Sequence, residues 1–519
     1  MYVIGVDVGS GSVRAALFDQ NGKKYASKSV PILQFHDQAN FVEQSSNDIW
    51  ENTLDVITSV ITSANIPKDQ IRGIGFDATC SLVALDSIGN PVSLSQTLND
   101  QQNIIMWMDH RAHEQTARIN ATKHDVLKYI GGEVSIEMEI PKILWVKENL
   151  NKQYKKVSRF FDLADFLVWK CTGEDSASVC TLTCKWNYLA HEQSFSEDYL
   201  TQIGLDDVLD KFPKKVLSLG TATGTLLPEI AQKLGLSDKT IIATGIIDAH
   251  AGGLAMSALQ AEGSLAIIAG TSTCHMATTL KPSFVPGVWG PYYESMLPKR
   301  WLNEGGQSAA GALLDWTIEQ HSQYHELKQQ ADNSQRSIYA CLNDAVYQLE
   351  LEEDAPTQNL HVLSDHHGNR SPRANPNATG MVMGLTLEKG IKQLARLYLA
   401  TLQALSYSTR HIMDTMNANG YAIDTLFMCG GGVHNPLWLR EHANATACDI
   451  HLLDEIDVMP LGAALLAAVA AGIYPDLEDA AKNMVHFGKT IKHEPDTHEF
   501  HERKYQIYLK MYDAAQMMG

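Results

Sequence analysis

Two segments about half the chain apart share one layout. GVDVGSGSVRAALFD, from Gly5, and SLAIIAGTSTCHMATTL, from Ser264, each run from an apolar strand through a turn of Gly, Ser and Thr into a second β-rich stretch. A device repeated at that separation predicts a duplicated unit. The 519 residues also exceed what one hydrophobic core usually supports. The expected fold is therefore α/β, with two domains, 1–258 and 259–519, meeting in the stretch AMSALQAEGS (255–264).

Local patterns fill in this frame. Tyr2 to Val30 alternate as strands, with turns at Gly9 to Ser12 and at Asn21-Gly22, and predict a three-stranded meander. A helical period follows over Ser46 to Ala64, then the strand-like IRGIGFDATCSLVALD, then a further helical pattern after Met106. The second half predicts helices over 308–353 and 387–419, a strand over 424–429, a glycine-rich turn and terminal helices. The apolar run PLGAALLAAVAAGIY (460–474) is too short and too rich in Ala and Gly to span a bilayer, and reads as a close-packed core helix.

Charge narrows the partners. A formal net charge of −19 without a basic segment argues against nucleic acid and against an anionic membrane. An acidic chain binds an anion only locally, through backbone N–H groups or a metal ion. The eight cysteines are scattered; Cys180 and Cys184 fall close together in CTLTC, but with no matching second pair zinc is not expected and free buried thiols are. The N-terminus runs straight into a strand without the features of a secretion signal, so a reducing, cytoplasmic setting is expected.

Four motifs carry chemistry. In Gly5 to Ser12 a carboxylate, Asp7, lies in a strand just ahead of Gly9, Ser10, Gly11 and Ser12. Residues this small let several backbone N–H groups face phosphate oxygens while Asp7 holds Mg²⁺; a plain hairpin is the alternative. Gly270, Thr271, Ser272 and Thr273 repeat the arrangement. In GIIDAHAGG, Asp248 ends an apolar strand where small residues start a helix, the place for a general base or for a simple helix cap. His250 beside it is either a substrate contact or a structural histidine. In MCGGGVHNP, Gly431 and Gly432 admit a flat purine and Asn435 hydrogen-bonds at a helix start, or the segment is an ordinary strand-to-helix turn. Hydroxyl-rich substrates need paired donors and acceptors, and the candidates are Thr79, Cys80, Ser81, Asp109, Arg111 and Glu137. Asp109 and Arg111 equally suit a surface ion pair.

Taken in order, GVDVGSGSVRAALFD, WMDHRA, PKILWVKENL, FFDLADFLVWKCTG, IIDAHAGG, AGTSTCHM, GGQSAAGALLDW and CGGGVHNPLWLREHANATACDI resemble the FGGY carbohydrate kinases from Gly5 to about Gly472. The resemblance implies two actin/hexokinase-like (ribonuclease H-like) ATPase domains with a cleft between them, ATP as co-substrate, Mg²⁺, and phosphoryl transfer to a sugar hydroxyl. It implies Asp248 as the base, Asp7 and Asp248 at the metal, and ATP at the two turns, with Gly311 nearby and Gly431, Gly432 and Asn435 around the adenosine. FDATCSLVALD beside WMDHRA looks most like the branch that phosphorylates D-ribulose. The Met-His pair of xylulokinases and the Arg-Glu pair of glycerol kinases are absent, while GTSTCHM, GPYYE and EGGQSAAG are also similar to L-ribulokinases. A homodimer is common among such kinases, but no interface can be argued from one chain.

Two other classes would leave different marks in the sequence. A sugar-independent ATPase or sensor on the same fold would lack the base or carry a large extra domain, and Asp248 is present. A metal-dependent hydrolase would use Asp365, His366 and His367, but their run, LSDHHGNRSPRANPNATG, reads as a polar loop without a third ligand at regular spacing.

Overall fold

The computed structural model describes residues 1–518. Its first sheet is built from β1 (Tyr2–Val8), β2 (Ser12–Asp19), β3 (Lys24–Pro31), β4 (Ile71–Ala78), β5 (Ala222–Thr225), β6 (Ile241–Ala243) and β7 (Ile246–Ile247). The spatial order is β5-β6-β4-β1-β2-β3, with β7 also on β4. β1 pairs antiparallel with β2 and parallel with β4, which in turn runs parallel to β6.

The second sheet holds β8 (Ser264–Ala269), β9 (Thr273–Thr279), β10 (Trp289–Tyr293), β11 (Trp301–Gln307), β12 (Thr425–Cys429), β13 (Asp449–Leu453) and β14 (Phe487–Ile491), in the order β10-β11-β9-β8-β12-β13-β14. β8 pairs antiparallel with β9 and parallel with β12, which runs parallel to β13. Strand for strand, β5-β6-β4-β1-β2-β3 and β14-β13-β12-β8-β9-β11 have the same neighbours in the same relative directions. The duplication expected from the two turns thus extends through six strands of each sheet.

The helices follow local chemistry. α1 (Ser46–Ala64) starts where the Ser45 hydroxyl accepts the Asp48 N–H and stops where Asn65 turns left-handed, and it buries Ile49, Val56, Ile57, Val60 and Ile61 along one face. The helical region expected at 308–353 divides into three helices, the first being Gly311–Glu319. Three further helices position the site: α2 (Val179–Lys185), α3 (Asp248–Ser257) and, near the end of the chain, α4 (Val458–Ala470). Among the described residues no helix is long and apolar enough to cross a membrane.

α4 does not stay with the second sheet. It packs against β1, β4 and α3, and it does so at backbone distance. A Cβ on Gly5 would lie 1.8 Å from the Pro460 carbonyl oxygen, one on Gly75 2.0 Å from that of Ala463, and one on Gly462 2.1 Å from that of Ala251. Small residues are needed at these crossings because the chains nearly touch. Arg14 on β2 pairs with Asp457 at 3.1 Å, just ahead of the helix, and Lys24 on β3 reaches the same carboxylate at 2.7 Å. The C-terminal half therefore supplies part of the packing of the N-terminal sheet.

Gly75→Val should lower stability by about 3 kcal/mol or more, because overpacking here meets backbone instead of a movable side chain. Gly11→Ala, where no atom lies within 4 Å of the added methyl, should leave stability unchanged within about 0.5 kcal/mol. Chemical denaturation of both variants checks the contrast.

Candidate active site

The two turns end their strands in the same way. In the first, the Gly9 N–H closes on the Ser12 carbonyl at 3.0 Å; in the second, the Gly270 N–H closes on that of Ser272 at 2.9 Å. No protein acceptor among the described residues takes the N–H groups of Ser10 and Gly11, or of Thr271 and Ser272. Each turn thus offers two free donors, the arrangement that binds phosphate oxygens. The surroundings fix both turns. The Ser10 hydroxyl accepts from the Trp107 indole at 2.9 Å, and its carbonyl accepts from Gln34 and Gln44. The Gly270 and Thr271 carbonyls accept from Gly311 and Ala310.

Other expected nucleotide residues gather at the second turn, though not all in the expected roles. A Cβ on Gly311 would lie 2.9 Å from the Gly270 oxygen, and one on Gly432 2.8 Å from Ala269, so both glycines serve close packing. Gly431 is exposed with nothing near it. Asn435 is buried: its oxygen caps the helix Pro436–Thr446 through the Leu437 and Trp438 N–H groups, and its amide donates to Tyr398 at 2.7 Å. Thr273 gives its hydroxyl to Gln307 at 3.0 Å. These two side chains hold the frame.

Three carboxylates meet near the first turn. Asp7 on β1 and Asp77 on β4 are direct cross-strand partners, and β7, beside Asp77 on the same strand, leads into Asp248 at the first position of α3. Burial, then the negative charge of Asp248, raise Asp7 to about 6. Burial and the Asp7 charge push Asp77 well up, and neither Asp77 oxygen has a hydrogen-bond donor. Burial also raises Asp248, against the pull of the Ala249 N–H, which reaches Oδ1 at 2.7 Å. The helix start therefore does not by itself hold Asp248 ionised, as its position alone suggests. The second Asp248 oxygen has no protein partner among the described residues. Nearby Arg14 already pairs with Asp457.

On the other side of Asp248 lies a ring of polar groups that sequence reasoning largely missed. Lys185, at the end of α2, is buried, and its amine lies 5.5 Å from the Trp289 ring. It makes no hydrogen bond or ion pair within the described residues, yet Cys80, Glu304, Tyr292 and Glu137 surround it closely enough to raise its pKa despite burial. Glu304 on β11 sits 3.3 Å from His250 Nε2 and 3.4 Å from the Cys274 thiol. Burial alone would raise Glu304, but the His250 hydrogen bond and the Lys185 charge bring it to about 2. Glu137 faces His110 at 3.9 Å and Arg370 at 3.7 Å. Burial works against its charge, and the His110 hydrogen bond with the Arg370 and Lys185 charges more than offsets it, holding Glu137 below its usual range.

Several first-half candidates prove to be scaffold. Asp109 accepts the Val42 N–H at 2.6 Å and pairs with Arg111. Arg111 also pairs with Glu43 at 2.7 Å, donates to the Leu94 carbonyl, and lies between the Phe41 and Trp145 rings. Both side chains are fully buried, so the pair is neither on the surface nor free to hold a sugar. Thr79 and Ser81 bond each other at 3.2 Å, and Ser81 also accepts the Trp107 N–H. Cys80 lies close enough to Lys185 to feel its charge. Asp365, His366 and His367 form no ligand cluster. Their loop instead carries Arg370 to Glu137.

The chain matches known proteins along nearly its whole length. Residues 2–255 match the N-terminal domain, and 265–471 the C-terminal domain, of the FGGY family of carbohydrate kinases. The chain is 44% identical over 530 residues to an FGGY carbohydrate kinase domain-containing protein of Homo sapiens, covering 98% of this chain and 96% of that one. It is 35% identical over 513 residues to a D-ribulokinase of Saccharomyces cerevisiae, covering 91% and 72%. A crystal structure of xylulose kinase from Rhodospirillum rubrum superposes with a TM-score of 0.85 at 20% identity, covering 100% and 99%.

Arg111→Ala strands the Asp109 and Glu43 carboxylates in the interior, so it should cost about 3–5 kcal/mol of stability. The folded fraction should keep its affinity for a sugar substrate. Denaturation midpoints read beside KM separate this outcome from loss of a sugar contact, which would raise KM at unchanged stability.

Proposed function

This chain belongs to the FGGY family of carbohydrate kinases, and we propose that it transfers the γ-phosphoryl group of ATP to the terminal hydroxyl of a keto-pentose, D-ribulose, giving D-ribulose 5-phosphate. The observation that carries the reading is the position of Asp248. One of its oxygens is free, two-donor turns end the strands β1 and β8, and the ring of Lys185, Glu304, Glu137 and Arg370 lies beyond. The choice of sugar rests on the 35% identity to the yeast D-ribulokinase.

In this reading the sugar lies along the polar ring. Glu304, kept ionised, accepts hydrogen bonds from its hydroxyls, and Lys185 donates to its oxygens. Glu137 and Arg370 close the far end. Asp248 takes the proton of the hydroxyl that attacks phosphorus, a step worth roughly 10²–10⁴-fold. Its pKa, already raised by burial, suits a base that must accept a proton near neutrality. The free N–H groups of Ser10, Gly11, Thr271 and Ser272 face the phosphate oxygens, where positioning and charge stabilisation carry most of the acceleration.

The carboxylates fit a hard divalent cation. Asp77 is buried with both oxygens unpartnered beside Asp7, and the donor set is all oxygen. Asp7, Asp77 and Asp248 do not close into one tight set of ligands, which suits an ion that keeps several of its waters. Mg²⁺ bound there with ATP would neutralise phosphate charge.

Asp248→Asn should keep ATP affinity and lose roughly 10²–10⁴-fold in kcat. ATP binding measured beside a coupled assay over D-ribulose, L-ribulose, xylulose, ribitol, arabinitol and glycerol tests both halves of the proposal. Near-normal turnover of the variant removes Asp248 as the base. ADP release that ignores the sugar favours an ATPase.

A further inference from the structure

Behind the polar ring, α2 and α3 bring together three groups that the proposed reaction does not use. Cys180 and Cys184 are four residues apart on α2, so both thiols leave the same face of the helix. That face meets His250 on α3. The two sulfurs and a ring nitrogen lie within 4.8 Å of one another, all buried. His250 Nδ1 is 3.2 Å from Cys180 Sγ, 3.8 Å from Cys184 Sγ and 3.3 Å from the Ser295 carbonyl oxygen.

This crowding around one nitrogen is more than a single hydrogen bond uses. A ring nitrogen carries either one proton or one lone pair, and so serves one partner. Three groups approach Nδ1. Nε2 faces the Glu304 carboxylate at 3.3 Å, which in the neutral ring holds the proton on Nε2 and leaves Nδ1 with its lone pair. A lone pair facing a carbonyl oxygen is repulsive. An imidazolium would donate to one of the three and leave the others unserved.

A cation between them serves all of these groups at once. With metal–sulfur bonds of about 2.3 Å and metal–nitrogen bonds of about 2.0–2.1 Å, tetrahedral angles put sulfur and nitrogen about 3.5 Å apart. The two observed distances bracket that value. The contact from the remote ring nitrogen to a carboxylate is the support that metal-bound histidines usually have. We propose that Cys180, Cys184 and His250 form a site for a thiophilic divalent cation of the zinc class, with the Ser295 carbonyl on its fourth side. Two thiolates and a neutral imidazole balance the charge of such an ion, and the two thiol protons leave as it binds. The sulfur-rich donor set separates this site from the all-oxygen one at Asp7.

Occupancy would tie α2, which ends in Lys185, to α3, which begins with Asp248. The sequence offered only the CTLTC half of the ligand set; the third ligand comes from 66 residues further on.

Because the groups are buried, the ion would enter as the chain folds. The test is to express the full chain in zinc- or cobalt-supplemented medium, purify it without chelators, and measure metal content and the sulfur-to-cobalt charge-transfer absorption. One equivalent per chain is expected, with thiolate bands in the cobalt form. Cys180→Ser and Cys184→Ser should each lose the equivalent and the bands, while Cys448→Ser, buried elsewhere against Met413, keeps both. A wild-type protein that carries neither metal nor bands overturns the proposal whether or not the variants fold. So does metal retained by a folded Cys180→Ser, Cys184→Ser double variant.

Discussion

The close approach of α4 to the backbones of β1 and β4 is the contact on which the rest of the architecture depends. Gly5, Gly75 and Gly462 let a helix from the end of the chain lie against the first sheet and α3 with almost no side chain between. β1 carries Asp7, β4 carries Asp77 and α3 starts with Asp248. One helix therefore sets the spacing of all three carboxylates. Packing this tight has few alternative arrangements, so it passes position from one half of the molecule to the other without slack.

On that frame the charges divide by side. The sugar-side ring sets Lys185 and Arg370 against Glu304 and Glu137, and both acids are held below their usual range. The phosphate side has three acids, each raised, and Arg14, the cation beside Asp7 and Asp77, is shared with Asp457. A region that raises its own acids is waiting for positive charge from outside, whereas one that lowers them is already balanced. That contrast explains how a chain of net charge −19 can suit a polyphosphate. In the proposed reaction the ligand's partners are four backbone N–H groups and a divalent ion, and neither depends on a basic surface.

The opening meander, its turns and the helix after it were legible in the sequence because they depend on local period and on glycine. Ser46 to Ala64, expected as a helix from its spacing, is a helix with those bounds. What was not legible depends on contacts far along the chain. Asp109 and Arg111 suit a sugar by type, but Glu43, 68 residues away, and the rings of Phe41 and Trp145 claim them. Asn435 suits an adenosine by type, but the helix cap and Tyr398 engage it in the frame. Lys185 went unassigned because CTLTC drew attention to sulfur, although a lysine among apolar residues at a helix end was itself a signal. Glu304 lies in EGGQSAAG, and only the tertiary fold brings it beside Cys274 and His250. The run 460–474 was legible as a core helix, but its composition could not say which sheet it would join.

The ring that would receive the sugar is drawn from both halves of the molecule. Lys185 and Glu137 come from the first, Glu304 and Arg370 from the second, and the Arg370–Glu137 contact at 3.7 Å is long for an ion pair. A hydroxyl-rich ligand lying among them would satisfy groups that the protein leaves half-partnered, and so would favour the relation of the halves seen here. The same relation sets the turn after β1 and the turn after β8, which belong to different sheets, with respect to each other. In the proposed reaction, sugar binding therefore contributes to assembling the phosphate site, and water, which cannot bridge Lys185 to Glu304 and Glu137 to Arg370 together, contributes far less.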